Sequence, residues 1–294
     1  MVSILPQLVI NGLIAGSIYA LAASGFSLVY YVIKFLNFAQ GALIALSAYI
    51  FFFFLNLMGI NYAAAALLTL ISSVLIMLIM NVAVYFPLRK RKATNVVLMI
   101  ASLALLIFSS SFIIALFGSS TKTLLLRNQN KTFDFGMFVA TEIQITIIIS
   151  ALAIFLLLWL VMKKTKIGKA MRALADNKEA AQIIGISPEK IYNYTFAIAS
   201  ALGAISGILI GLEQNLYPGM GVLIIVKGFI SSVVGGISSV PGAIIGGLFI
   251  GLVENLGIWF LPSGYKDVIS FTILLIFLLF RPQGILGVKL RDDA

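Results

Sequence analysis

Long, nearly unbroken apolar stretches separated by short polar or basic segments make up almost the whole chain. A helix needs about 20 apolar residues to cross the hydrocarbon of a bilayer. By that rule spans fall near residues 8–32, 37–58, 62–86, 96–117, 143–162 and 192–212, and a last one runs from about 267 to Phe280, where Arg281-Pro282 ends it. The region 222–256 is just as apolar but is cut by Gly235-Gly236 and by Pro241-Gly242, which predicts two short, broken segments. The pattern predicts an all-α polytopic membrane protein, one transmembrane domain over 1–294 with about eight or nine transmembrane or re-entrant helices.

Composition agrees. Of 294 residues 61% are hydrophobic and 10% charged, against about 45–50% and about 25% in soluble domains. Lipid, not water, must be the solvent for most of this surface. The absence of His and Cys removes the commonest transition-metal ligands and the Ser-His and Cys-His nucleophile systems. No catalytic constellation, metal site or cofactor is expected, and the chain does not read as an enzyme. Nor does it carry a G-x-x-x-x-G-K-[ST] phosphate loop, so any ATP would be bound by another subunit.

The net charge of +10 changes meaning once it is placed along the chain. Lys34, Arg89–Lys92, the seven basic residues of the 163–190 loop, Arg281, Lys289 and Arg291 fall on one side of the expected membrane, 15 in all. Lys122, Arg127, Lys131 and Lys266 fall on the other, and Lys227 sits inside an apolar segment. Cytoplasmic loops collect Lys and Arg, so the bias predicts an external N-terminus and a cytoplasmic C-terminus. It also explains the positive total without nucleic acid as a partner, since no basic patch is interleaved with aromatics. The first basic residue, Lys34, lies beyond the first span, so the N-terminus does not read as a cleavable signal. Opposite termini require an odd number of crossings: nine if both halves of 222–256 cross, seven if they form one re-entrant hairpin.

Within the spans, glycines recur four residues apart: Gly12 and Gly16, Gly203, Gly207 and Gly211, Gly242 and Gly246, Gly247 and Gly251. Such spacing lets helix backbones approach closely where no hydrophobic effect drives association. Gly235, Gly236 and Gly242 can also permit irregular backbone at membrane depth, which is tolerated only inside protein or along a cavity. That makes them candidates for a translocation path. Asn11, Tyr19, Asn37 and Gln40 are candidates for the same path or for hydrogen bonds between helices. Lys227 either snorkels to the outer interface or lines a vestibule. Glu142, Glu213, Glu254 and Asp267 all fall near the outer ends of spans, leaving no obvious intramembrane carboxylate of the kind that marks proton- or sodium-coupled carriers. Phe51–Phe54 read as packed or lipid-facing.

The basic loop 163–190 is long enough to hold structure of its own. Ile167, Met171 and Leu174 recur at helical spacing, predicting an amphipathic helix along Gly168–Leu174. Asp176 is the expected cap of a second short helix, with Glu179 three residues on, Gly185 its C-terminal stop, and Ser187-Pro188 the start of the next span. Such a stub, with Ala180, Ala181, Ile183 and Ile184 projecting, is either a docking element or a connector lying on lipid headgroups.

Residues Glu179-Ala180-Ala181-Gln182-Ile183-Ile184-Gly185 resemble the EAAxxxG core by which bacterial ABC importer permeases engage their ATPases. Asn11-Gly12-Leu13, Gly16-Ser17-Ile18-Tyr19-Ala20-Leu21, Asn37-Phe38-Ala39-Gln40-Gly41, Gly235-Gly236-Ile237, Pro241-Gly242-Ala243, Gly246-Gly247 and Phe280–Gly287 are similar, in order, to the LivH-type branched-chain amino acid permeases. The chain departs from that family at Gln40, where His is usual, and at Ala42, where an acidic residue is common. The resemblance implies a permease subunit in a bacterial cytoplasmic membrane. Its partners would be two ABC ATPase subunits, a second LivM-like permease subunit or a second copy, and an external substrate-binding protein. It further implies Glu179, Ala180, Ala181 and Gly185 as ATPase-coupling residues. Urea and short-chain amide permeases share the architecture, and a stand-alone channel or secondary carrier is the remaining alternative.

Overall fold

Among the membrane-length helices of the described residues, the one most enclosed by its neighbours also carries the largest number of small residues. A computed structural model describes residues 4–124, 132–134, 136 and 138–287; Arg127, Lys131, Lys289 and Arg291 lie outside them. Helix α1 (Leu5–Ile33) carries Gly12, Gly16, Ser17, Ala20, Ala22, Ala23, Ser24, Gly25 and Ser27 on buried positions, and 83% of its apolar window is enclosed by other helices. Helix α6 (Glu142–Lys164), whose middle is mostly Ile and Leu, has only 17% enclosed. The order is what lipid demands. Large aliphatic side chains are at home against acyl chains, while small residues let backbones meet.

Around α1 stand α2 (Ala39–Phe52), α3 (Tyr62–Met80), α4 (Phe86–Lys90), α5 (Asn95–Phe117) and α6. One π-helical segment, Phe53–Leu57, extends α2, and another, Asn81–Tyr85, joins α3 to α4, so each pair forms one continuous rod. A two-stranded antiparallel hairpin, β1 (Thr132–Asp134) with β2 (Val139–Thr141), leads into α6. The turn is closed by a capping box between Thr141 and Gln144. Then follow α7 (Lys166–Asp176), α8 (Lys178–Ile183), α9 (Pro188–Glu213), α10 (Met220–Gly235), α11 (Val240–Gly257) and α12 (Lys266–Phe280). Among the described residues eight helical rods are long and apolar enough to cross a membrane, and α10 is a shorter apolar ninth.

The glycine spacing acts as expected where α1 meets α11. A β-carbon on Gly12 would lie 2.9 Å from the Leu252 Cα and one on Gly16 would lie 2.9 Å from the Leu248 Cα, while Gly251 rests on the Gly16 backbone. The same device closes α10 on α11, where Gly235 meets the Gly242 backbone. These two helices form a hairpin whose turn, at Gly236 with φ of 110°, is bonded to the segment beyond α12: the Ile285 and Leu286 amides donate to the Val234 and Gly235 carbonyls, both at 2.9 Å.

The hairpin therefore does not stop halfway. Its turn lies with Tyr31, Lys163 and Arg172 around an apolar groove of about 780 Å³ that also takes in Ser239 and Val240. The start of α1, by contrast, lies with the start of α6, the end of α9 and the start of α12. The start of α1 and the end of α12 lie at opposite ends of the bundle. Arg281, Arg89, Lys163 and Arg172 share the face of the hairpin turn.

Candidate functional site

Three polar regions stand out in the folded chain, and the sequence candidates divide among them. The first is a buried charge cluster. Lys227 of α10 donates to Glu254 of α11 at 2.5 Å, pairs with Asp267 of α12 at 2.7 Å and donates to Ser270 at 3.0 Å. The Ser270 hydroxyl also donates to Glu254, and the Tyr19 hydroxyl of α1 reaches the second oxygen of the same carboxylate at 3.2 Å. Lys227 and Glu254 are both nearly inaccessible, while Asp267 is half exposed. Three acceptors surround the buried Lys227 ammonium. Glu254 is the buried counter-ion that makes Lys227 tolerable in an apolar helix, at the end of the bundle where α12 begins. Sequence distance hid the pair, since the two residues come together only when α10 folds back along α11.

The second region is a polar cavity of about 240 Å³ at the end of the bundle where α1 begins. Asn11 and Tyr19 line it, together with Gln144, Glu213, Asn255 and Lys266, which sequence reasoning had not grouped. Gln144 donates to Glu213 at 3.1 Å, and Lys266 donates to Asn255 at 3.2 Å. Nearby, burial and, to a lesser degree, the Asp267 carboxylate push the Tyr217 phenol above its ordinary pKa.

The remaining membrane candidates make contacts within the chain. Asn37 is buried and accepts from the Tyr85 hydroxyl at 2.8 Å. Gln40 donates to the Ala199 carbonyl at 2.6 Å and is seated between Gly25 and Gly203, whose missing side chains leave room for its amide. Gly235, Gly236 and Gly242 lie at the crossing and turn of the hairpin, against backbone. Phe51 is buried and Phe53 exposed.

The third region is the α7–α8 module on the basic face. Helix α7 is longer than expected because Thr165 caps it, accepting from the Gly168 amide at 3.0 Å. It lays Met171 and Leu174 inward, and the Arg172 guanidinium caps the Met162 carbonyl at the end of α6. The cap of α8 is Asn177, which accepts from the Ala180 amide at 2.9 Å, not Asp176, which completes α7. Gly185 takes φ of 87° just past the end of α8. Ala181 does not project: it is buried against the bundle. The projecting surface is Glu179, Ala180, Gln182, Ile183 and Ile184, with the two isoleucines 86% and 72% exposed.

Beside this module, Arg89 of α4 pairs with Glu189 at the start of α9 at 2.8 Å and donates to Asn81 at 3.0 Å. Its guanidinium lies 5.1 Å from the centre of the Tyr192 ring. Asn81 in turn donates to Asn193 at 2.6 Å. The base from which α8 protrudes is thus tied to the α3–α4 rod.

Comparison with known proteins gives this arrangement its relatives. The chain is 35% identical over 299 residues to the high-affinity branched-chain amino acid transport system permease protein BraD of Pseudomonas aeruginosa, covering 96% of this chain and 95% of that protein. It is 33% identical to the corresponding LivH of Escherichia coli K12, with 96% and 95% covered. Among solved structures, PsaBC from Streptococcus pneumoniae in complex with Fab shares the fold, with a TM-score of 0.51 at 14% identity over 93% of this chain and 91% of that one. The family described as branched-chain amino acid transport system / permease component matches residues 8–278. With eight helices long and apolar enough to cross a membrane among the described residues and a family match over most of its length, this chain is a multi-pass membrane protein that belongs to the branched-chain amino acid transport system permease components.

Proposed function

We propose that this chain is the membrane-spanning subunit of an ATP-driven importer for branched-chain amino acids. In this reading its N-terminus is external and its C-terminus cytoplasmic. The α7–α8 module receives the motion of a cytoplasmic ATPase, and solute arrives from an external binding protein. A second permease subunit, either related or identical, completes the pore.

The observation that carries the proposal is the pair Ile183 and Ile184, held almost fully exposed on the basic face by a short helix capped at Asn177 and stopped at Gly185. Two large aliphatic side chains have no reason to stand in water unless another surface covers them. The basic surroundings support a cytoplasmic position for this surface, since Lys and Arg collect on the cytoplasmic face. Substrate class comes from the full-length relatives named as branched-chain amino acid permeases.

The test is purification from native membranes in mild detergent, followed by reconstitution with the proteins that come with it. ATPase subunits and ATP-dependent uptake of leucine, isoleucine or valine are expected. Solute flux from the chain alone, without ATP, would overturn the proposal.

A further inference from the structure

The two polar regions at the α1 end differ in one respect. In the Lys227 cluster every charge is paired. In the adjoining cavity of about 240 Å³, Glu213 and Lys266 take part in no ion pair among the described residues. Each also stands at the unfavourable end of its own helix. Glu213 is the last residue of α9, where the helix dipole is negative, and Lys266 the first of α12, where it is positive. An unpaired carboxylate and an unpaired ammonium, both opposed by their helices, face one largely polar cavity whose wall also carries an aliphatic strip of Ile14, Ile18 and Ile210.

We propose that this cavity is the outer solute subsite of the permease and that it takes one α-amino acid as the zwitterion. The ammonium of the solute pairs with Glu213 and its carboxylate with Lys266, so each charge receives the partner its helix end does not supply. The branched side chain lies on the isoleucines. Gln144 and Asn255, which already bond the two charged groups at 3.1 and 3.2 Å, hold them in place. The volume is smaller than that of a drug-sized pocket and suits a single small metabolite. Urea and simple amides carry neither charge and would leave both groups unpaired. This assignment rests on the importer reading above.

The chain has no cysteine, so a single introduced thiol can report on the cavity without background. Ala15→Cys, on the cavity wall, is labelled with a membrane-impermeant thiol reagent in membranes carrying the assembled importer, while ATP-driven leucine uptake is followed in parallel. Leucine is expected to slow labelling saturably, by about tenfold at ten times its dissociation constant. Leucinamide, 4-methylpentanoate and urea are expected to leave the rate unchanged. Adding Glu213→Gln or Lys266→Gln is expected to weaken the protection by about tenfold or more. Should Ala15→Cys fail to accumulate, Gln214→Cys at the exposed mouth reports the same event, and Thr146→Cys, elsewhere on α6, serves as the unprotected control. Undiminished labelling in leucine while uptake proceeds overturns the subsite and leaves the importer reading intact. Equal protection by leucinamide or 4-methylpentanoate overturns recognition by two charges. Saturable protection by leucine without ATP-driven uptake supports the subsite and fails the importer reading.

Discussion

The Lys227 cluster and the α8 stub lie at opposite ends of the bundle and use their side chains in opposite ways. In the cluster Lys227, Glu254, Ser270, Tyr19 and Asp267 satisfy one another across four helices. On α8, Glu179, Ala180, Gln182, Ile183 and Ile184 are exposed, and the helix is held only through its caps and the buried Ala181. The first region consists of groups committed to the chain's own fold. The second consists of groups the fold positions but does not use. Polarity alone does not separate the two: the most polar buried cluster is satisfied within the chain, whereas the surface left exposed on α8 is largely aliphatic.

The sharpest way to break the comparison is to remove one member of the cluster. Lys227→Met leaves Glu254 buried without its cation, which costs about 3–5 kcal/mol when a buried pair loses one partner. The expected outcome is loss of monodisperse folded protein in detergent, or a large fall in melting temperature. Lys227→Met combined with Glu254→Gln should recover a substantial part of that loss, because the charge left behind causes most of the damage. If the single variant melts like the parent, the cluster is not structural and Lys227 becomes a candidate for contact with solute.

At the opposite end the same logic predicts a change in function without a change in stability. Ile183→Ser with Ile184→Ser removes apolar surface that the chain itself leaves largely uncovered. Melting temperature should stay that of the parent. Losing two aliphatic anchors, each worth about 1.5–3 kcal/mol on full burial, should weaken co-purification of the ATPase and lower uptake by about tenfold or more. A fall in melting temperature with unchanged ATPase binding would reverse the assignment of this surface.

The two regions were also unequally visible in the sequence. Local signals carried the stub: helical spacing of Met171 and Leu174, a stop at Gly185, and a start at Ser187-Pro188 all match the structure. The cap was misplaced by one residue because Asp176 and Asn177 are both competent caps, and the longer α7 decides between them. Ala181 could not be assigned to the buried side without knowing which face of α8 meets the bundle. Length and hydropathy were enough for the spans, and glycine spacing for the seam between α1 and α11. The charge cluster and the cavity were out of reach for a physical reason. Their members lie on helices far apart in the chain, and long-range pairing of Lys227 with Glu254 or of Glu213's cavity with Lys266 leaves no local periodicity.

A smaller effect tests whether the stub needs its shape or only its side chains. Gly185 turns the chain with φ of 87° and has no neighbour within 4 Å of where a β-carbon would stand. Packing therefore does not demand glycine; backbone conformation does. Gly185→Val should strain the left-handed turn by about 1–2 kcal/mol, unwinding the end of α8 and displacing Ile184 while the membrane helices stay intact. Gly185→Asn should be far milder, since asparagine tolerates this region better than other side chains. ATP-dependent uptake should then fall in the order glycine, asparagine, valine, with equal amounts of protein in the membrane and equal melting temperatures. Equal uptake by the valine and asparagine variants would mean that α8 acts through its exposed side chains alone, and that the stop at Gly185 contributes nothing to how they are presented.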